Sequence, residues 1–191
     1  MIDSHYLLNP LSFLITTLFS LYLMLVVVRF LLQLTRADFY NPISQFIVKL
    51  TSPLLIPLRR FIPGWQGIDS ASIVLMLLLQ GVSTLLLVVL SGQSPTLGFV
   101  IFWSVAELIS TILTIFVFAI IIQAIMSWVN PAPHYNPISS LLYSLTEPLL
   151  GPARRRIPPI SGIDLSPLAV ILLLEVVKML LIPPFKQLAL G

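Results

Sequence analysis

The sequence has no cysteine, only two histidines and few charged residues, which make up 9% of its 191 positions. Without cysteine the chain can form no disulfide bond, thiolate metal site or cysteine nucleophile. It also lacks the HExxH, GxSxG and phosphate-loop patterns, and no acidic pair recurs at metal-ligand spacing. We therefore expect no metal site, no cofactor and no enzymatic activity. Since a soluble domain carries about 25% charged residues, the low charge also indicates a membrane protein.

Apolar residues make up 58% of the chain, and most lie in four long runs. A helix of about 20 apolar residues crosses a hydrocarbon core, so we predict an all-α membrane protein with four transmembrane helices. The last run is the shortest and contains Glu175 and Lys178. No basic stretch precedes the first run and no small-residue cleavage site follows it, so we expect this helix to be retained. The predicted spans cover about residues 11–34, 71–90, 106–129 and 166–182.

Basic residues are concentrated in two of the three connections between these spans, 35–69 and 130–166, whereas connection 91–96 has no charge. Because cytoplasmic connections are enriched in lysine and arginine, we expect the two basic connections to face the cytoplasm. Four spans then place both termini on the other side of the membrane. The basic residues of these connections are Arg36, Lys49, Arg59, Arg60, Arg154, Arg155 and Arg156.

The chain contains an internal repeat. A shift of 95 residues aligns positions 41–69 with 136–164 without a gap, and 17 of the 29 aligned pairs are identical. We therefore divide the chain into a first repeat, 1–95, and a second repeat, 96–191. Each repeat has an even number of spans, so both enter the membrane in the same orientation. Such parallel repeats are related by a pseudo-two-fold axis along the membrane normal.

The repeated segment predicts an amphipathic helix between the two spans of each repeat. Asn41 before Pro42 is a good helix N-cap, and the next apolar residues fall on one helix face. Prolines further along predict that this helix is broken and lies at the membrane interface, although a re-entrant loop remains an alternative. The structural motif residues are Asn41, Pro42, Pro53, Pro57, Pro63, Gly67 and Asp69, and in the second repeat Asn136, Pro137, Pro148, Pro152, Pro158, Gly162 and Asp164.

The repeated arginines allow two interpretations. They can simply hold the adjacent spans on the cytoplasmic side, or the pseudo-two-fold can bring both sets into one basic patch that binds anionic lipid headgroups or an acidic partner segment. The candidate binding residues are Arg59, Arg60, Arg154, Arg155 and Arg156. Asp69 and Asp164 are expected to cap the following spans, or to pair across the repeats with these arginines.

A few polar residues fall within or close to the predicted spans. We expect Arg29 to snorkel to the cytoplasmic interface, and the glutamines to form hydrogen bonds between helices. Glu175 and Lys178 are three residues apart and can partly neutralise each other. Since charges inside a span often mark function, structural and functional roles both stay open. The intramembrane polar candidates are Arg29, Gln80, Gln123, Glu175 and Lys178.

The paired segments NPISQFIVKLTSPLLIPLRRFIPGWQGID and NPISSLLYSLTEPLLGPARRRIPPISGID resemble the YggT family of bacterial inner-membrane proteins. The resemblance covers almost the whole chain, as two tandem family units. It implies a bacterial inner-membrane location with both termini periplasmic. It also implies links to osmotic stress tolerance, to cell division or nucleoid and thylakoid organisation, and in plastids to haem attachment. The absence of cysteine gives no support for direct haem ligation in this chain.

Two functions are consistent with these patterns. In the first, a non-enzymatic membrane protein uses its two basic segments to bind anionic lipid or a membrane partner, and contributes to osmotic-stress tolerance or envelope assembly. In the second, the repeats form a small channel or transporter for ions or osmolytes, which would require homo-oligomers because four helices enclose only a narrow pore. The basic connections are short and proline-rich, so no nucleic-acid partner is expected.

Overall fold

A computed structural model describes residues 4–65, 67–129, 136–159 and 164–190. These residues form six helices and no strand, apart from an isolated bridge between Trp65 and Ile68. The prediction of an all-α chain is confirmed. The helices are α1 (Ser4–Leu34), α2 (Pro42–Phe61), α3 (Ser70–Leu90), α4 (Leu97–Val129), α5 (Pro137–Arg156) and α6 (Ser166–Leu190).

Four of these helices are long and apolar enough to cross a membrane, as predicted. The second predicted span matches α3, but the third begins at Leu97 rather than at 106, and the fourth continues to Leu190 rather than stopping at 182. The extension of the fourth span includes Lys186, which forms an ion pair of 2.8 Å with Glu107 of α4, so each helix can carry its charge.

Helices α2 and α5 are continuous, which corrects the predicted proline-broken segment. Each proline removes one backbone donor, whereas irregular backbone at a membrane would leave several groups unpaired. The helical path therefore costs fewer hydrogen bonds than a break. The prolines inside the helices are Pro53 and Pro57 in α2 and Pro148 and Pro152 in α5, whereas Pro63 and Pro158 follow the helix ends.

Side chains supply additional donors near the first proline of α2. Ser52 Oγ donates to the Val48 carbonyl at 2.6 Å, and the hydroxyl of Tyr22 on α1 donates to the Leu50 carbonyl at 3.3 Å. The carbonyl that Pro53 leaves without its helical donor is that of Lys49, so these two bonds are additional to the helix ladder and do not replace the missing one. The Tyr22 bond fixes α2 against α1.

The buried face of α2 differs from the predicted apolar face. Ile47 is buried as expected, but Phe46 and Leu50 are 59% and 40% exposed, and two hydroxyl residues, Ser44 and Thr51, are fully enclosed instead. The difference arises because α1 offers polar groups to the inner side of α2. An apolar stripe therefore remains on the outer surface of α2.

The main core joins α1, α3 and α4, with one buried leucine each from α2 (Leu55) and α5 (Leu145). A separate cluster joins α4, α5 and α6 around Ile120 and Leu150. Helix α4 packs most extensively on α6, within the second repeat, and α1 on α3, within the first. We call the side of the helix bundle where α2 and α5 lie the basic face. The opposite side, where connection 91–96 joins α3 to α4, is the far face.

Candidate functional site

The first arginine of the motif pairs with the aspartate at its end. In the first repeat Arg59 Nη2 lies 2.5 Å from Asp69 Oδ2, and the Asp69 side chain is only 5% exposed. Asp69 caps α3 by accepting from the backbone N–H and hydroxyl of Ser72. Burial alone would raise the pKa of Asp69, but hydrogen bonds from Arg59 and Ser72 outweigh it and hold the pKa below its ordinary value. The capping role of Asp69 is as predicted, whereas its ion pair is with the arginine of its own repeat and not across the repeats as expected.

The second repeat has the same pair with an added carboxylate. Arg154 Nε donates to Asp164 at 2.9 Å, and its Nη1 donates to Glu147 at 2.9 Å. These side chains are between 37% and 41% exposed, so water screens the pairs more strongly than in the first repeat. Burial acts to raise the pKa of Asp164, but the Ser166 N–H and Arg154 outweigh it and lower the pKa.

A glycine makes room for the added carboxylate. A Cβ atom at Gly151 would lie 2.9 Å from Glu147 Oε1, so a larger residue would displace the glutamate side chain. The equivalent position in the first repeat is Ile56, and the equivalent of Glu147 is Ser52. The second repeat therefore carries one more negative charge beside its arginine.

The remaining motif arginines are exposed. Arg60 lies in the last turn of α2, and Arg155 and Arg156 lie in the last turn of α5. Among the described residues none of them forms an ion pair or hydrogen bond. Cations at a helix C-terminus interact favourably with the helix dipole. These three guanidinium groups are positioned to bind groups outside the protein.

Arg29 does not snorkel to the interface as expected. Its side chain is only 6% exposed, and it turns toward α2 instead of along α1. Its Nη1 donates to Thr51 Oγ1 at 2.6 Å, to Ser52 Oγ at 3.2 Å and to the Val48 carbonyl at 3.2 Å. Three acceptors on the adjacent helix are within hydrogen-bond distance of the guanidinium, which explains the correction.

The equivalent space in the second repeat is organised differently. Ala124 replaces Arg29, and Gln123, one residue earlier, accepts a hydrogen bond from Thr146, the equivalent of Thr51. A cavity of about 580 Å³ lies beside Ala124, with mostly apolar walls from α4, α5 and α6 and Arg154 and Asp164 among its lining residues. The predicted role of Gln123 as a hydrogen-bonding group between helices agrees with this contact.

The two repeats contact each other at the start of α2 and α5. Asn41 caps α2 by accepting from the Ile43 N–H at 2.9 Å, and its Nδ2 donates to the Pro137 carbonyl at 2.8 Å and to Ser140 Oγ at 3.3 Å. Asn136 caps α5 in the same way, accepting from the Ile138 N–H.

The motif arginines contact only groups of their own repeat. No hydrogen bond or ion pair in the described part of the chain joins Arg59 or Arg60 to Arg154, Arg155 or Arg156, or to a shared carboxylate. A joint basic patch stays a prediction.

A tight turn separates α2 from α3 in the first repeat. Trp65 and Ile68 exchange backbone hydrogen bonds of 3.1 and 2.9 Å, and Gly67 adopts a φ of +82°, which favours glycine. A groove of about 670 Å³ opens beside this turn, and Arg29, Gln33, Arg59 and Asp69 contribute its polar lining. The corresponding Gly162 lies outside the described residues.

The intramembrane pair of α6 is not an ion pair. Lys178 Nζ donates to Thr114 Oγ1 of α4 at 2.8 Å, and no ion pair among the described residues includes Glu175. Since α4 offers a hydroxyl within reach, Lys178 bonds across the helix interface rather than along α6. The expected mutual neutralisation of the two charges is therefore not observed.

A polar cavity of about 410 Å³ lies toward the far face, between α1, α3 and α4. Its lining includes Gln80, Ser83, Thr84 and Glu107, with Trp103 on one side. Lys186 extends from α6, pairs with Glu107 and lies 4.4 Å from the centre of the Trp103 ring. The pair joins two helices, α4 and α6, whose contact a hydropathy profile does not reveal, so sequence reasoning missed this cluster.

A family model described as CCB3/YggT matches the chain twice, over residues 8–90 and 102–185. The chain belongs to the CCB3/YggT family. Its relatives include the uncharacterized protein PA0392 of Pseudomonas aeruginosa, which is 49% identical over 173 residues, 89% of this chain and 87% of the relative. The uncharacterized protein YggT of Escherichia coli K12 is 40% identical over 173 residues, 90% of this chain and 88% of the relative.

A protein of Vibrio alginolyticus, named as an uncharacterized protein in the proC 3′ region, is 41% identical over 175 residues, 91% of this chain and 94% of the relative. No solved structure matches the chain significantly. The resemblance to the YggT family is confirmed, and four apolar helices in a bacterial family indicate a multi-pass membrane protein. The names of these CCB3/YggT relatives assign no activity, so function has to be argued from the arginine sites.

Proposed function

We propose that this CCB3/YggT protein is a non-enzymatic protein of the bacterial inner membrane. Its two basic helices bind anionic lipid headgroups, or an acidic membrane partner, at the cytoplasmic face. Through this binding it contributes to osmotic-stress tolerance or to envelope assembly. The observation that carries the proposal is the exposure of Arg60, Arg155 and Arg156 at the ends of α2 and α5.

The outer surface of α2 supports this proposal. Phe46, Leu50 and Leu54 are at least 40% exposed and lie on one helix face, and Phe61 extends the same stripe. Arg60 lies beside this stripe. An apolar face flanked by cations suits a helix that lies in the membrane interface, where the side chains enter the acyl region and the guanidinium reaches phosphate.

The same surface is reduced in the second repeat. Leu141 and Leu145, the equivalents of Phe46 and Leu50, are only 7% and 5% exposed because α5 packs against the first repeat. We therefore expect α2 to provide apolar anchoring and α5 to provide positive charge.

The decisive test replaces the three exposed arginines, Arg60, Arg155 and Arg156, with glutamine. Full-length protein is placed in nanodiscs that contain phosphatidylglycerol in phosphatidylethanolamine, and the lipid held around it is measured by mass spectrometry at low and high salt. We expect the excess of phosphatidylglycerol around the wild type to fall in the variant, more at low salt than at high salt, because exposed charges are screened. Gln45→Ala, a change of an exposed neutral residue of α2, serves as the control.

Unchanged lipid composition in the triple variant would contradict lipid binding by these arginines. A protein retained by the wild type and lost by the variant would instead identify an acidic partner. Growth under osmotic stress of cells that carry only the triple variant then tests the physiological part of the proposal.

A second candidate, a channel or transporter for ions or small osmolytes, is favoured by the polar cavity near the far face. Gln80, Ser83 and Thr84 bring polar groups into the bundle, and the cavity adjoins Glu107. The apolar core, including the buried Met76 and Leu75, separates this cavity from the groove on the basic face. Solute flux into reconstituted vesicles after an osmotic downshift tests this candidate, and Gln80→Leu should reduce any such flux.

A further inference from the structure

The guanidinium of Arg29 uses only one of its nitrogen atoms for contacts with the protein. All three hydrogen bonds to α2 come from Nη1, and neither Nη2 nor Nε donates to an atom of the described residues. Ser166 Oγ is the one fully enclosed polar side-chain atom without a partner in the described part of the chain. The Nη2 and Nε groups of Arg29 are therefore still accessible, and together they form the edge of a guanidinium that binds phosphate bidentately.

The charge of Arg29 forms no ion pair within the described part of the chain, where no carboxylate lies within ion-pair distance of it. The nearest motif carboxylate, Asp69, is already bound to Arg59. Because arginine remains protonated at all physiological pH values, the two guanidinium groups and one carboxylate leave a net positive charge in a largely buried site. Buried charges are stable only when they are paired.

The groove beside the Gly67 turn is where an opposite charge can reach this site. Arg29, Gln33 and Arg59 supply hydrogen-bond donors to a space of about 670 Å³, a size typical of sites for small ligands. Its walls also include apolar groups, Phe39 and Ile62 among them. The groove lies on the basic face, between the end of α1 and the start of α3, where a lipid headgroup would be found.

We propose that this groove binds the phosphate of one anionic phospholipid headgroup, held by the free edge of Arg29 and by Arg59. The inference deepens the proposed function and rests on it, since it assigns one specific lipid site within the more general basic surface. The acyl chains extend from the groove along the apolar surface of the helices, and Gln33 hydrogen-bonds the headgroup.

The described residues of the second repeat do not supply the same set of side chains. Ala124 cannot supply a guanidinium, and Arg154 is shared between Glu147 and Asp164, so this set of side chains has a net negative charge. The protein therefore holds one specific anionic lipid per chain, although its basic segment occurs twice.

The experiment counts tightly held lipids by native mass spectrometry of the full-length protein, released from nanodiscs of phosphatidylethanolamine with added phosphatidylglycerol. We expect the wild type to retain one phosphatidylglycerol, and Arg29→Gln to lower its occupancy about tenfold or more, since hydrogen bonds to charged groups contribute strongly. Arg29→Lys should be intermediate, because lysine keeps the charge but loses the planar fork. Lys49→Gln is the matched control, since Lys49 is an exposed cation of α2 that does not line the groove.

Arg59→Gln, a change of a partly exposed residue that lines the same groove, provides a second test if Arg29→Gln fails to fold. It should also lower occupancy. Full retention by either folded groove variant, or two equally held lipids per chain, would overturn the proposal. Inorganic phosphate is titrated into protein in phosphatidylcholine nanodiscs to separate the two sources of phosphate. If phosphate binds in an Arg29-dependent way and no phosphatidylglycerol is retained, the ligand is a free anion and the lipid assignment is wrong.

The two proposals can fail separately. The triple variant of Arg60, Arg155 and Arg156 can lose its surrounding anionic lipid while Arg29→Gln keeps its single lipid. That result would support lipid binding by the basic surface and contradict the lipid site in the groove. If the triple variant behaves as wild type but Arg29→Gln loses its lipid, the groove is the only lipid site and the broader function is wrong.

Discussion

The two repeats share a backbone plan but differ in the polar groups placed inside it. Each has a helix with two internal prolines, capped by asparagine and ended by an arginine that pairs with an aspartate. In the first repeat the space beside this helix is filled by Arg29, whereas in the second it is a largely apolar cavity beside Ala124. The residues that fix helix ends and turns are thus the same in both repeats, whereas the residues that set the local charge differ.

This difference shows which parts of the motif are structural. The pair Arg59–Asp69 is more enclosed than Arg154–Asp164, and only the second pair has an additional carboxylate, Glu147. Since both repeats keep arginine and aspartate despite such different surroundings, the pair serves the joint between the basic helix and the next span. If the proposed lipid binding holds, selectivity for a lipid is expected to depend on the residues that differ.

The largest expected difference between the repeats concerns the two aspartates. Asp69→Ala should cost about 3 kcal/mol of unfolding free energy, because it removes a cap and leaves Arg59 without its largely buried partner. Asp164→Ala should cost about 1 kcal/mol, since the Asp164 pairs are screened by water. Reversible unfolding in mixed micelles measures both values.

Asp69→Asn is the control for the first comparison, because asparagine retains a capping oxygen but loses the charge. Its cost should fall between that of Asp69→Ala and that of the wild type. If Asp69→Ala and Asp164→Ala lower the free energy of unfolding equally, burial does not distinguish the two ion pairs.

A smaller difference is expected between the two buried threonines. Thr51 accepts from the Arg29 guanidinium, and Thr51→Val should cost about 2 kcal/mol, as expected for a hydrogen bond to a charged group. Thr146 bonds the neutral Gln123, so Thr146→Val should cost about 1 kcal/mol. The same unfolding assay measures both variants.

The substitution Ala124→Arg sharpens the threonine comparison. If a guanidinium at this position reproduces the first repeat, Thr146→Val should become more costly in the Ala124→Arg background than in the wild type. A cost that stays the same would mean that the two spaces are not equivalent.

The smallest expected effect is a loss of stability against unfolding at acidic pH. The folded pKa values of Asp69 and Asp164 both lie below the ordinary value of 3.8. Each carboxylate therefore stabilises the fold fully above that value and loses its contribution as the pH falls through the lowered pKa. We expect the unfolding midpoint to fall in acid below about pH 4, with a weaker fall in Asp69→Asn than in Asp164→Asn.

High salt should reduce the Asp164 contribution more than that of Asp69, since only exposed pairs are strongly screened. A midpoint that is independent of pH in this range would contradict the pKa directions.

Local patterns predicted the general plan of the fold. Hydropathy located four spans, and the proline and asparagine of the motif located the starts of α2 and α5 at Pro42 and Pro137. Both signals depend on residues close in sequence, so they can be read from the chain directly. The continuity of α2 through Pro53 was not predicted, because local preference at a proline favours a break and the packing of α2 against α1 is not visible in the sequence.

The arrangement of the candidate site could be predicted only in part. The capping role of Asp69 was predicted from its position before α3, but its pair with Arg59 of the same repeat was not, because the two residues meet only through the turn between α2 and α3. The inward direction of Arg29 and the pairing of Glu107 with Lys186 depend on helices that are distant in sequence. Only packing determines which helix faces offer acceptors, and a hydropathy profile does not contain that information.

The hydrogen bond from Asn41 to the Pro137 carbonyl gives the covalent link between the repeats a further meaning. Two identical, separate units that meet across an isologous interface must each carry the same residues, so every contact occurs twice. A fused chain is free of that constraint. One repeat can then carry a buried charge while the other has a cavity at the equivalent position. The contact between the two repeats keeps them in a fixed arrangement.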